Sequence, residues 1–138
     1  MSEFILDPRL AKDTTPLGKL ALSRVLLMKD GRFPWLVLVP ERAGMVEIFD
    51  LSTEDREMLL AEACAMGTKL KNGLRATKIN IANLGNAVAQ LHVHVIARFS
   101  QDAAWPNPVW NSGPAEIRSS EAQEREAAKM KKLLGLSD

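Results

Sequence analysis

From Leu91 to Phe99 the chain reads LHVHVIARF, the most regular alternation in the sequence. A period of two is the mark of a β-strand, whose successive side chains face opposite sides of a sheet. Leu91, Val93 and Val95 lie on one side and point into a core, whereas Gln90, His92 and His94 lie on the other. Whatever this chain folds into must therefore hold a strand with one apolar face and one face bearing Gln, His, His.

The remaining segments supply partners for that strand. LALSRVLLM (Leu20 to Met28) and WLVLV (Trp35 to Val39) flank the polar tetrad Lys29, Asp30, Gly31, Arg32, which predicts strand, tight loop, strand; Pro40 closes the second, since a strand end tolerates a residue without an amide hydrogen. Ser52, three residues before Asp55, predicts a helix start. Leu59, Ala63, Met66 and Leu70 then make one stripe of a helix that ends near Gly73. Cys64, the single cysteine, reads as a small buried thiol in that helix, and it excludes an intramolecular disulfide or a multi-cysteine zinc site. Lys78 to Ala82 alternates as a strand, and the turn set Asn83 to Asn86 follows. Trp105, Pro106, Pro108 and Trp110 have a rigid surface-loop composition. The charged, Ala-rich stretch of residues 119–134 predicts a surface helix capped by Ser. Residues 1–18 read as an irregular lead-in with one helical turn around Arg9 to Lys12. Four or five strands with short connections and two main helices define an α+β class built on an antiparallel sheet. An apolar edge on so small a sheet invites pairing with a second copy, a homodimer.

With 138 residues, 46% of them hydrophobic and 25% charged, residues 1–138 are expected to form one domain. A formal charge of +1 gives no bulk reason to bind a nucleic-acid polymer, so any phosphate recognition must be local. The acidic start lacks the basic and apolar regions of a signal peptide, and no apolar run approaches the roughly 18 residues of a membrane span. The expectation is a cytoplasmic protein with no membrane partner.

The only two histidines are His92 and His94, placed two apart so that a strand presents both on one face. Such a face has three readings: a solvated strand face without chemistry, a metal site, or a catalytic site. A metal would need a third ligand from a distant segment, Asp30 or Asp102. The catalytic reading has a direct logic. A neutral imidazole offers one ring nitrogen to an electrophile, provided that the other carries the proton and donates it to a fixed acceptor such as a backbone carbonyl. The second histidine, on the same face, can then meet phosphate oxygens or help a leaving group depart.

The segment QLHVHVI resembles the histidine-triad motif, His-φ-His-φ-His-φ-φ with φ apolar, of the HIT superfamily of nucleotide hydrolases and transferases. The order of elements resembles that family over residues 20–110, and bacterial HIT-family and dinucleoside-polyphosphate-type hydrolases in particular. The resemblance implies a homodimer with sheets joined across the interface. It also implies attack on a nucleoside α-phosphorus, giving a nucleotidyl-histidine that water resolves. His92 takes the nucleophile's place and His94 that of the phosphate-side partner. Asn83, Asn86 and Arg98 match polar or basic positions that contact phosphate or sugar. Three positions depart from the pattern: Gln90 stands where the first histidine belongs, Trp35 where many members have a further histidine, and Ala87 where a Ser or Thr is common in the phosphate turn. Gln90 can position the site but not titrate, and Ala87 leaves only backbone amides, so an altered leaving-group preference or a slower enzyme is expected. In the first hairpin, Leu26 to Met28 would flank a purine and Asp30 would accept from ribose hydroxyls, with ordinary turn chemistry as the competing role of Asp30. Trp105 and Trp110 would cap the site, pack, or cross to the partner. No cofactor is required, although a divalent cation can accompany the substrate. The rival functions are a nucleotide-binding protein with weak turnover and a metal-binding His-x-His strand.

Overall fold

The computed structural model describes residues 3–137. Five strands, β1 (Thr14–Lys19), β2 (Ser23–Met28), β3 (Trp35–Pro40), β4 (Lys78–Ala82) and β5 (Val93–Arg98), form one sheet in the order β1-β2-β3-β5-β4, and every neighbouring pair is antiparallel. Three helices accompany it: α1 (Pro8–Asp13), α2 (Thr53–Leu74) and α3 (Ser120–Leu134). This is the α+β class expected.

The central strands β3 and β5 are buried along their whole length, because both faces of the sheet are covered. On one face the α2 stripe of Leu59, Ala63, Met66 and Leu70 meets Val93, Val95 and Ala97, and α3 adds Ala127, Met130 and Leu134. On the other face Trp35, Val37 and Ile96 pack beneath Leu10, Ala104 and Val109, which come from the N-terminal segment and the loop after β5. Both long helices start as predicted: the Ser52 hydroxyl accepts from the Asp55 amide at 3.1 Å, and that of Ser119 from the Ala122 amide at 3.1 Å. Arg75, in the left-handed region at φ 56°, ends α2 just beyond the expected Gly73.

Several expectations change. Among its described residues the lead-in is irregular only over residues 3–7: after the helical turn the chain enters β1, whose Pro16 and Gly18 hide it from pattern reading. Both are admissible because β1 is an edge strand whose register shifts between Pro16 and Gly18, and a sheet edge accepts proline and bulges that an interior strand would not. β2 begins at Ser23, not Leu20, since Leu20 bonds Ser23 across the β1–β2 turn at 2.8 Å. β5 begins at Val93, because the Leu91 amide leaves the ladder for the Met45 carbonyl at 2.9 Å. Cys64 is exposed, contrary to expectation. It follows Ala63 of the buried stripe, and one residue turns a helix by about 100°. Among the described residues no helix is long and apolar enough to cross a membrane.

Candidate active site

His92 sits just before β5, 4% exposed, with its Nδ1 2.7 Å from the Gln90 carbonyl. A carbonyl can only accept, so Nδ1 holds the proton and donates it, and the lone pair falls on Nε2. Among the described residues Nε2 has no hydrogen-bond partner. The Asn83 amide donates to the His92 carbonyl at 3.0 Å, which fixes the backbone where the strand begins. Gly85 closes the turn against the imidazole so tightly that a Cβ there would lie 2.9 Å from His92 Cε1 and 2.7 Å from the Val88 carbonyl. Only glycine lets the turn come that close. A cleft of about 150 Å³ is lined by Asn83, Gly85, Asn86, Gln90 and His92, together with Glu47. Four of the predicted site residues thus surround one opening.

His94 has the opposite tautomer. The Trp35 indole Nε1 donates to its Nδ1 at 3.0 Å, while its Nε2 donates to the Leu84 carbonyl at 2.9 Å. Burial pushes its pKa down to about 4, partly opposed by the bond to Leu84 and helped by the unfavourable electrostatics of adding a proton beside the His92 ring, so it is neutral at pH 7. Both nitrogens are committed, which corrects the expectation that His94 meets phosphate oxygens directly. It anchors Leu84, next to Gly85, and stacks edgewise on His92 with centroids 4.9 Å apart. Trp110 closes against His94 and Trp35 at 5.0 and 5.8 Å, so this tryptophan packs on the histidine layer. Trp35, a departure from the motif in the sequence, serves here as a donor; the signal for that role is an indole on the strand that pairs with the one bearing His94.

Other predicted residues are spent elsewhere. Gln90 precedes the strand, and its side chain turns to the N-terminal segment, where Oε1 accepts from the Asp7 amide at 2.8 Å and Nε2 donates to the Ile5 carbonyl at 2.9 Å. Ala87 offers its carbonyl to Arg9 Nη1 at 2.7 Å. Arg98 is corrected from phosphate ligand to internal strut: at 2% exposure it bonds both Asp102 oxygens, the Asn80 side chain and the Asn107 carbonyl, using four of its five donors. Asp30 is tied to Arg32 at 2.8 Å and to the backbone amides of Arg32 and Glu116, which is turn chemistry and not an open ribose acceptor. Its burial favours the neutral acid, but the bonds from Arg32 and those amides win and lower its pKa. Leu26, 1% exposed, cannot flank a ligand. Met28 can: it lines a cavity of about 290 Å³ with Asp30, Trp35 and Trp110. Asp30 and Asp102, the acids considered for a metal, are both paired with arginine, and among the described residues no cluster of three or more His, Cys, Asp or Glu could hold an ion.

A five-stranded antiparallel sheet with a tautomer-fixed histidine at the entry to an interior strand, facing a glycine turn, defines a histidine-triad type of protein. A family model described as HIT domain matches residues 9–101. A histidine triad protein from Sinorhizobium meliloti 1021 is 47% identical, with 94% of this chain and 96% of that one covered at a TM-score of 0.88. One from Marinobacter aquaeolei VT8 is 42% identical, covering 97% and 98% at a TM-score of 0.92. The diadenosine triphosphate hydrolase of Plasmodium falciparum shares the fold at 21% identity, covering 97% and 83% at a TM-score of 0.64. No curated protein matches the chain. The chain belongs to the HIT family.

Proposed function

We propose that this protein cleaves a phosphoanhydride or phosphoramidate bond at a nucleoside α-phosphate, with His92 Nε2 as the nucleophile and a nucleotidyl-histidine that water then resolves. The observation that carries this reading is the 2.7 Å bond from His92 Nδ1 to the Gln90 carbonyl. It presents Nε2 as the lone pair and takes up the positive charge that grows on the ring as the N–P bond forms. Asn86 and the free part of the Asn83 amide line the same cleft and are the polar groups we assign to phosphate oxygens. The aromatic-lined cavity beside Met28, Trp35 and Trp110 has the concave, largely apolar character of a base pocket. A related fold that bears the name diadenosine triphosphate hydrolase agrees with a dinucleoside polyphosphate as substrate. The chemistry needs no cofactor, and the reading places the protein in the cytoplasm.

A second reading, nucleotide binding with little turnover, is favoured by the commitment of Gln90 and of both His94 nitrogens to protein partners. Steady-state assays with a dinucleoside polyphosphate separate the two. Under our reading His92→Ala loses about three orders of magnitude or more in kcat, the scale of removing a nucleophile, while nucleotide calorimetry still detects binding. Equal turnover in wild type and His92→Ala would remove His92 from the mechanism.

The same reading includes a homodimer. β4 is an open sheet edge, and its Ile81, together with Ile48 and Leu60, is exposed and borders an apolar groove of about 300 Å³, an edge that a second copy would cover. Sedimentation velocity should give a dimer for wild type and a monomer for Ile81→Asp; a monomeric wild type at micromolar concentration would exclude it.

A further inference from the structure

The departures at Gln90 and Ala87 meet a single segment. Gln90 uses its side-chain amide as a peptide group would be used in a sheet, bonding residues 5 and 7 of the N-terminal segment through one acceptor and one donor. Asp7, thus held, accepts from the Arg9 amide at 2.8 Å and from Arg9 Nε and Nη2 at 3.3 and 3.2 Å. Arg9 Nη1 reaches the Ala87 carbonyl at 2.7 Å. Three of the five guanidinium donors are therefore spent on holding the head over the 86–88 turn. Two remain, on a side chain 61% exposed. Surface arginines seldom justify the rotamer entropy of such fixing. Bonds from Arg9 are the main reason the Asp7 carboxylate lies below its ordinary pKa, and the turn that Arg9 grips at Ala87 carries Asn86 and Val88, which line the cleft with His92.

We propose that Arg9 binds the outgoing phosphate, with Gln90 as the positioning residue that holds Arg9 at the turn, and that the preferred substrate carries a phosphate-bearing leaving group and not an amine. The inference rests on the phosphoryl-transfer reading above and names its substrate class. As the bond from His92 Nε2 to phosphorus forms, the bridging P–O bond breaks and its electron pair leaves on an oxygen of the departing phosphate. That charge needs a cation and no proton. An amine leaving group must instead be given a proton, and neither residue flanking His92 at the motif positions has one to give: Gln90 is an amide, and the His94 N–H is bonded to Leu84.

The test compares kcat/KM for a dinucleoside polyphosphate and a nucleoside phosphoramidate in wild type, Arg9→Ala, Arg9→Lys, Gln90→Leu and the Arg9→Ala/Gln90→Leu double variant. Charge-assisted hydrogen bonds predict a loss of about ten- to a hundredfold for the polyphosphate with Arg9→Ala. The polyphosphate-to-phosphoramidate ratio should fall about tenfold, Arg9→Lys should recover part of it, and the double variant should be no worse than Arg9→Ala, as residues acting through one another require. Calorimetry with inorganic tripolyphosphate, which needs no turnover, should show binding weakened by the same substitution. Equal losses on both substrates, or additive losses in the double variant, would overturn the proposal. If wild type cleaves neither substrate yet binds tripolyphosphate through Arg9, the catalytic reading falls and the anion site stands; brisk turnover indifferent to Arg9 does the reverse.

Discussion

On one face of β5, Val93, Val95 and Ala97 are covered by hydrocarbon from α2 and α3. On the other, His94, Ile96 and Arg98 are covered by Trp35, Trp110 and the loop after the strand, and each polar group there has a named acceptor or donor. The first face tolerates any well-packed apolar side chain of suitable volume. The second is a network in which each removal orphans a buried partner. Stability on the first face is distributed over many contacts, and on the second it is concentrated in a few residues that also set the geometry around His92.

The largest expected effect is therefore on the polar face. Asp102 accepts two bonds from Arg98 and one each from the amides of Phe99, Ala104 and Trp105; burial opposes its charge, but these bonds lower its pKa. Asp102→Ala should destabilise by about 3–5 kcal/mol, the scale of breaking a buried ion pair from one side, and should perturb Trp105 fluorescence. Leu70→Ala, fully buried on the helix face, should cost about 3 kcal/mol by cavity formation and leave the Trp105 environment unchanged. Urea melts monitored by tryptophan emission check both, and identical spectral effects would break the contrast between the faces.

Acid should attack the polar face next. With a pKa of about 4 in the fold against 6.5 otherwise, His94 leaves the folded chain unprotonated where the unfolded chain takes up a proton. Its contribution is complete above about pH 6.5 and is lost as pH falls toward 4, on the order of 3 kcal/mol in all. Urea midpoints between pH 7.5 and 4.5 should fall in wild type and much less in His94→Gln; parallel slopes would deny that His94 is held neutral. Smaller again is Trp35→Phe, which keeps the ring packing but leaves His94 Nδ1 without a donor. A loss of about 1–2 kcal/mol is expected, together with a shift of the His94 Nδ1 signal in nitrogen-15 spectra, and an unchanged signal would remove the indole from the network.

The same contrast explains what could be read in advance. The helix face follows from period: Leu59, Ala63, Met66 and Leu70 are all buried, because an apolar stripe has only one way to be satisfied. His92 is legible too: it stands in the alternating run just ahead of β5, and a backbone carbonyl two residues earlier supplies its acceptor. The partners on the polar face were not. Arg98 looks like a free cation until Asp102 and Asn80 close on it, and β1 hides behind Pro16 and Gly18 because an edge strand is released from the rules of an interior one. Gln90 stands out in the sequence as a departure from the motif, but its partners lie 85 and 83 residues away, and no local pattern announces them.

The proposed activity turns on attack by His92 Nε2 on phosphorus. Rapid acid-free quenching of the protein with a dinucleoside polyphosphate labelled at the α-phosphate, followed by peptide mapping, tests it most directly. Acid-labile, base-stable label is expected on the peptide containing His92 and none in His92→Ala. Turnover in wild type without any label on His92, matched by turnover in His92→Ala, would contradict it.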